Sequence, residues 1–336
     1  MRKLFFYILL TLNIILNFLL LLSLLSPYTH PSFMWPISFI GLFFPILIFG
    51  IICTLIPLLF YNKKIIYLNL IVMLISLPFV TRFFTISIEG SEENNKNELT
   101  IMSYNVRLFN QYKWIKNINI EDEISQLIYK NNIDIACIQE DRQTSNPLNI
   151  KYNFISQNLG IYSKYPIINN GEIKSEQHVI CIFADIQFEN KVIRVYNMHL
   201  ASNSFSNENL ALIQSLEMER NIGESLGIIK RLRNSFILRG REVDLIKSEI
   251  EKTDLPVIIC GDFNDTPMSY AYEELKKNMN DAFIESGHGF GDTFINIPML
   301  RIDYILYHKK WQSNEFTTHQ EEYSDHRAIS TSIVIE

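Results

Sequence analysis

Several apolar runs in this chain end abruptly in side chains suited to holding a metal ion or a phosphate. Asn105 follows IMSY, Glu140 follows IACIQ, His199 lies in YNMHL, Asp262 and Asn264 follow VIICG, Asp303 follows RI, and Asp325 and His326 stand in SDH. Carboxylates and amide oxygens are hard ligands of the kind Mg2+ or Mn2+ prefers, and such ions are usually held by one or two carboxylates together with water and substrate phosphate. In-line displacement at phosphorus needs an oriented water, a cation that neutralises the phosphoryl oxygens and donors for the leaving oxygen. These residue types can supply all three. Taken singly, each has a plainer explanation: an acid after a strand usually caps a turn, and a lone histidine is more often a hydrogen-bonded core residue. Their joint occurrence in this order is what carries weight.

The elements that must position these side chains alternate between strand and helix. LTIMSY from Leu99 reads as a strand, and Glu121 to Asn131 as a helix with Ile120, Ile124, Leu127 and Ile128 on one face. IDIACIQE follows, then VIRVYNMHL from Val192, a long helical stretch from about Asn207 to Glu251, PVIICGDFND from Pro256, RIDYILY from Arg301 and a closing strand near Ser330. Residues 99–336 therefore read as one α/β domain, a size that one core can fill. The GHGFGDTF segment at 287–294 does not complete a dinucleotide-binding glycine pattern and reads as a turn. Cys137, Cys181 and Cys260 lie in apolar runs and look like core packing; with no CxxC spacing, neither a disulfide framework nor a zinc site is expected.

With these residues in view, the sequence resembles the endonuclease/exonuclease/phosphatase superfamily, through MSYNVR (102–107), CIQE (137–140), YSKYPI (162–167), YNMHL (196–200), GDFND (261–265), RIDYI (301–305) and SDHR (324–327). The resemblance runs from about Leu99 to Ile335. It implies a four-layer α/β sandwich, two mixed β-sheets packed face to face and flanked by helices, with the active site at one edge. By similarity Glu140 is the principal ligand of Mg2+ (or Mn2+), assisted by Asn105 and Asp325. Asp262 orients or activates the attacking water, Asn264 holds the phosphate, His326 contacts phosphate oxygens and is positioned by Asp303, and His199 donates to the phosphate or leaving group. Some members carry an acid at the position of Arg107, so the arginine here weighs against a second metal at that corner. GDFND runs into TPMSYAY rather than the longer signature of inositol phosphatases, which weighs against an inositol phosphate substrate.

The first part of the chain has another composition. From Met1 to Ile88 the formal charges are Arg2, Lys3, Lys63, Lys64 and Arg82, and no acid precedes Glu89. Removing those five cations from 30 leaves 25 Lys and Arg against 36 Asp and Glu, so the remainder carries a net charge of −11. A crossing helix needs about 20 apolar residues, which predicts spans over residues 4–25, 37–60 and 65–88, the third with Arg82 snorkelling. Residues 89–98 read as a polar linker. Cationic flanks stay cytoplasmic, which places the catalytic domain on the extracytoplasmic side of an inner or plasma membrane.

The expectation is thus a membrane-anchored, metal-dependent phosphoester hydrolase acting on nucleic acid, a phospholipid or a small phosphate ester, with the lipid bilayer as partner of the N-terminal helices and no obligate protein partner. The alternatives are a catalytically silent scaffold that binds phosphate ligands, or an inositol phosphate phosphatase. Lys230, Arg231, Arg233, Arg239 and Arg241 fall in the long helix with no acid among them. They read either as a solvated face or as a lid or membrane-facing helix that gathers anionic headgroups or nucleic acid phosphates.

Overall fold

The computed structural model describes residues 2–61, 63–86, 97–142, 146–203 and 222–335. Two six-stranded mixed sheets form its centre. The first has the order β13 (Gln312–Thr318), β14 (Ile329–Val334), β2 (Glu98–Asn105), β3 (Ile135–Gln139), β5 (Leu159–Ser163), β4 (Tyr152–Ser156). The second runs β10 (Met279–Asp281), β12 (Asp303–His308), β9 (Val257–Asp262), β8 (Lys191–His199), β7 (His178–Phe188), β6 (Ile167–Ser175).

Each sheet holds one parallel pair, β2–β3 and β8–β9, and every other pairing within it is antiparallel. A parallel pair brings two strand C-termini to the same edge. Asn105 and Glu140 thereby emerge together from one sheet, and His199 and Asp262 from the other.

The side-chain alternation of the strands builds the layers. Ile101, Ile135, Cys137 and Ile161 of the first sheet meet Ile182, Val195, Ile258 and Cys260 of the second in the central core. On its outer face the first sheet packs Met102, Tyr104 and Ile138 against α5 (Ile120–Lys130), through Ile120, Ile124, Leu127 and Ile128. The second sheet packs Tyr196, Met198 and Ile259 against α6 (Ile222–Ile250) and α7 (Tyr270–Lys276). Helices outside and two sheets inside make the sandwich of four layers. Cys137, Cys181 and Cys260 are buried and unpaired within it. Most of the predicted linker, residues 89–96, and the first part of the predicted long helix, residues 207–221, lie outside the described residues.

The N-terminal part consists of α1 (Arg2–Ser23), α2 (Pro31–Leu42), α3 (Phe44–Leu59) and α4 (Ile65–Val80). The expectation of three spans is not met: among the described residues, α1 is the one unbroken helix long and apolar enough to cross a membrane. The second expected span is broken at Phe43, where α2 and α3 bend by 49°. At 16 residues α4 is the third, and at 1.5 Å per residue it reaches about 24 Å, short of the roughly 30 Å hydrocarbon core. Arg82 does not extend it. Its guanidinium donates to Glu273 Oε2 (2.7 Å) and the Pro267 carbonyl (3.2 Å) instead, and the chain turns into β1 (Thr85–Ile86).

This helical part exposes many large apolar side chains and buries a polar cluster among the apolar ones of its interior. Asn13 Nδ2 donates to Thr54 Oγ1 (2.9 Å) and Asn69 Oδ1 (3.1 Å), Asn69 Nδ2 returns a bond to Asn13 Oδ1 (3.1 Å), and Asn17 Nδ2 donates to Asn69 Oδ1 (3.0 Å). All four residues are buried, whereas Leu4, Ile8, Ile46, Phe49, Leu70 and Leu74 are each more than half exposed. A water-soluble bundle sorts its residues the other way.

The bundle is seated on the α/β domain. Met268 of the domain joins Leu20, Leu24, Phe44 and Phe83 in one buried cluster. β1 pairs with β11 (His288–Gly289), so the segment read as a turn contributes a short strand that fastens the exit of α4. Arg301, 1% exposed, donates to both oxygens of Asp281 (3.1 and 2.9 Å) and to the Arg82 carbonyl (2.8 Å). Replacing Arg301 by leucine removes the cation paired with the buried Asp281 carboxylate, which keeps only the Tyr272 hydroxyl and the Phe283 amide, and a loss of about 3–5 kcal/mol is expected in denaturant unfolding followed by tryptophan fluorescence. A change under ~1 kcal/mol contradicts the structural role given to this pair.

Candidate active site

The site grows from the edge where the two parallel pairs end. In the second sheet His199 is registered against Asp262 and Asp262 against Asp303, so three site residues form one row across β8, β9 and β12. Gly261, immediately before Asp262, makes this row possible. Its φ of 152° and the close approach of the Met198 carbonyl leave no room for a Cβ.

Asn105 spans the two sheets. Its Nδ2 donates to Asp262 Oδ2 (3.0 Å) and to Glu140 Oε1 (3.3 Å), while its Oδ1 accepts from the Arg107 amide (3.1 Å). Asp262 is 1% exposed, and its Oδ1 accepts from the Asn264 amide (2.8 Å). Both imidazoles face its other oxygen, His199 Nε2 at 3.6 Å and His326 Nε2 at 3.7 Å. His199 Nε2 also lies 4.0 Å from Glu140 Oε1. On its far side His326 Nδ1 is 2.9 Å from Asp303 Oδ2.

The structure therefore brings Asn105, Glu140, His199, Asp262, Asp303 and His326 into one contact network. The other two sequence-selected residues stand at its rim. Asn264 is tied through its Nδ2 to the Leu200 carbonyl (3.0 Å), and Asp325 faces Arg107, whose Nε is 3.4 Å from Asp325 Oδ2 and whose guanidinium stacks on Trp114 at 4.1 Å.

Burial disfavours charge on His326, but the Asp303 and Asp262 carboxylates outweigh it and push the imidazole up to about 10. The ring is therefore cationic at neutral pH. Burial pushes the Asp262 carboxyl up, the His326 charge pulls it back and Asp303 adds to the rise.

The backbone is strained around these groups. Glu140 (φ 51°) and Asn264 (φ 51°) are left-handed, and so are all four residues from Arg107 to Asn110 (φ 46–58°). Such conformations cost about 1 kcal/mol or more apiece for residues with a Cβ. Bonds from the Val106 amide to the Gln139 carbonyl (3.0 Å) and from the Leu108 amide to the Glu140 carbonyl (2.9 Å) hold the loop against the site.

Below the network lies a layer that the sequence reading left unassigned. Gln139 Nε2 donates to Ser103 Oγ (3.1 Å) and Asn197 Oδ1 (2.7 Å), and Asn197 Nδ2 donates to the carbonyls of Ile138 and Gly160 (both 2.8 Å). These fully buried groups join the sheets one step beneath the site. A polar residue at an inward position of an otherwise apolar strand was the available signal.

The donor chemistry fits a divalent cation. Glu140, Asp262, Asp303 and Asp325 bring four negative charges against the cations His326 and Arg107, which leaves two uncompensated (4 − 2 = 2). Ligand atoms of Asp262, Asp303 and His326 lie within 4.8 Å of one another. His326 Nδ1 is already engaged by Asp303, and hard divalent cations prefer the carboxylate oxygens of that corner.

An acid–imidazole corner at the edge of a two-sheet α/β sandwich defines a class of domain, and the sequence comparisons agree with it. Residues 102–326 match the Endonuclease/Exonuclease/phosphatase family, and this chain belongs to it. Members are typically metal-dependent phosphoester hydrolases. Residues 2–83 match a domain of unknown function (DUF8431).

Among solved structures, the chain is similar to an endonuclease/exonuclease/phosphatase family protein from Bacteroides thetaiotaomicron, with 16% identity, a TM-score of 0.53 and coverage of 71% of this chain and 98% of that one. A mannosyl-6-phosphatase from Bacteroides thetaiotaomicron VPI-5482 matches at 15% identity and TM-score 0.53, over 70% of this chain and 100% of its own. An endonuclease/exonuclease/phosphatase from Bacteroides vulgatus does so at 18% and 0.53, over 72% and 100%. Likeness at this identity is a likeness of fold. No curated protein matches the chain by sequence.

The inter-sheet layer makes its own prediction. Asn197→Leu removes the strongest acceptor of Gln139 and the side-chain donor to two buried carbonyls, and unfolding is expected to show a loss of about 1–3 kcal/mol. An unchanged denaturation midpoint contradicts it.

Proposed function

We propose that this chain is a membrane-anchored phosphoester hydrolase that uses Mg2+ or Mn2+ and attacks phosphorus with water, most simply as a phosphodiesterase on nucleic acid or phospholipid-type substrates. One observation carries the reading: the Asp262 carboxylate is almost fully buried between two imidazoles, with Glu140, 33% exposed, opening the same corner to solvent. Burying a carboxylate is costly unless it has partners or a use, and here its partners are themselves catalytic types.

Glu140, Asn105 and Asp325 would hold the cation, Asn105 through the Oδ1 that also accepts from the Arg107 amide, which leaves its Nδ2 on Asp262. When bound, the ion supplies neutralisation of charge on the phosphoryl oxygens. Asp262, fixed by the Asn264 amide, orients the attacking water and accepts its proton. His326, held cationic by Asp303, donates to a phosphoryl oxygen, and Asn264 helps to seat the phosphate. His199 protonates the leaving oxygen in this reading.

The anchor assignment is supported by the exposed apolar surface and buried asparagine cluster of the N-terminal helices, with α1 as the full-length span. Arg2 and Lys3 open α1 at one end and the α/β domain is seated at the other, which favours an extracytoplasmic site.

The test is hydrolysis by the purified full chain in detergent of DNA, phospholipid, inositol phosphate and a generic diester, with Mg2+, with Mn2+ and with chelator. Metal-dependent cleavage of one class is expected, with Glu140→Ala and His326→Ala each lowering the rate by about 10³-fold or more. Full activity in chelator contradicts the metal role.

A further inference from the structure

We propose that α6 lies along the surface of the bilayer that holds α1, so that the acid–imidazole corner opens at the headgroup layer and takes a phosphoester borne by a membrane lipid. The inference rests on reading the chain as an anchored phosphoesterase and goes on to fix where its substrate resides.

The connection from site to bundle is short and rigid. Arg239 of α6, 1% exposed, donates through Nε to Asp265 Oδ2 (3.0 Å) and through Nη1 to the Ala201 carbonyl (2.8 Å) and Asn203 Oδ1 (3.0 Å). Glu242 Oε2 accepts from the Ala201 amide (2.8 Å). Ala201 and Asp265 follow the site residues His199 and Asp262 closely in sequence, so α6 clamps the loops that leave both strands. This also removes Arg239 from the basic face on which the sequence alone placed it.

One residue further along α6, the structure meets the bundle. A Cβ at Gly240 would fall 2.9 Å from His30 Nε2 and 3.1 Å from Pro31 Cδ, and His30 Nε2 lies 3.3 Å from Asp244 Oδ2. His30 caps α2, which starts at the end of the bundle where α1 finishes.

The face of α6 that touches α2 continues beyond it. Ile229, Arg233, Ile237, Gly240 and Asp244 follow one another at three- and four-residue steps and so share one side of the helix. Lys230 and Arg241 flank that stripe. Lys230, Arg233 and Arg241 are exposed, and none pairs with an acid among the described residues, while Ile229 is 37% exposed beside them. Basic residues interleaved with aliphatic ones, on a domain that is otherwise acidic, complement anionic headgroups above an apolar layer. At the same end of the bundle Tyr28 and Phe33 are 63% and 84% exposed, and Phe84 packs on Phe290 with ring centroids 5.0 Å apart. Tyrosine collects where hydrocarbon gives way to headgroups, and exposed phenylalanine dips into the acyl boundary beneath it. The edge bearing Asp262 and His199 is therefore held next to the bilayer.

The test uses the full chain in phosphatidylcholine–phosphatidylglycerol vesicles with Mg2+. A nitroxide at R233C, in a Cys53→Ser background, is expected to be about threefold or more better protected from an aqueous nickel chelate than one at Y129C, on the exposed face of α5. Cleavage of the vesicle lipid's headgroup phosphoester should outpace that of bis(p-nitrophenyl) phosphate in bulk water, and the ratio of the two rates should fall about tenfold in R233E/R241E. A label at 233 as open to the chelate as the control, or cleavage of the soluble diester alone, overturns the inference. Absence of metal-dependent cleavage of both probes sinks the phosphoesterase reading instead, and the nitroxide still decides where α6 lies.

Discussion

The bond from Asn105 to Asp262 is the contact on which the rest of the site depends. It joins a strand end of one sheet to a strand end of the other, and it supplies a donor to a carboxylate that burial would otherwise leave destabilised. Both imidazoles, Glu140 and Asp303 are placed relative to that carboxylate. The two parallel pairs make the bond possible, because they deliver Asn105 and Asp262 to the same edge of a sandwich whose other pairings are antiparallel.

Holding so many polar groups together costs stability, and the structure offsets it locally. The Gln139–Asn197–Ser103 layer fastens the sheets one step beneath the site, so the left-handed residues at Glu140, Asn264 and Arg107–Asn110 are set on a rigid base. Arg107 shows how one substitution of residue type changes a corner: where some family members hold an acid, a guanidinium stacked on Trp114 partners Asp325 and lowers the negative charge there.

The N-terminal helices obey the same rule. Asn13, Asn17, Thr54 and Asn69 turn inward to one another, while many leucine, isoleucine and phenylalanine side chains stay exposed, the sorting that a hydrocarbon solvent with no hydrogen bonds to offer would favour. The seat of this bundle on Met268, Arg82 and Arg301 ties it to the loop that follows Asp262, which couples the orientation of the site to that of the helices.

Local periodicity was enough to read much of this protein from its residues. The strands at 98–105, 135–139, 191–199, 257–262, 303–308 and 329–334 and the helix at 120–130 fall where alternation and helical spacing put them. The polar residues that end those strands were visible as chemistry, and the charge-poor N-terminal part as apolar helix. What the sequence could not decide depends on contacts between distant positions. Asn105 and Asp262 are 157 residues apart, and no local pattern specifies that they touch. The inward roles of Gln139 and Asn197, the burial of Arg239 among bases that look alike in sequence, the break at Phe43 and the capture of Arg82 by Glu273 are set by partners that only the folded chain supplies. Composition and period determine what each segment can become, and tertiary packing determines which side chains share a buried space and therefore which of them can act together.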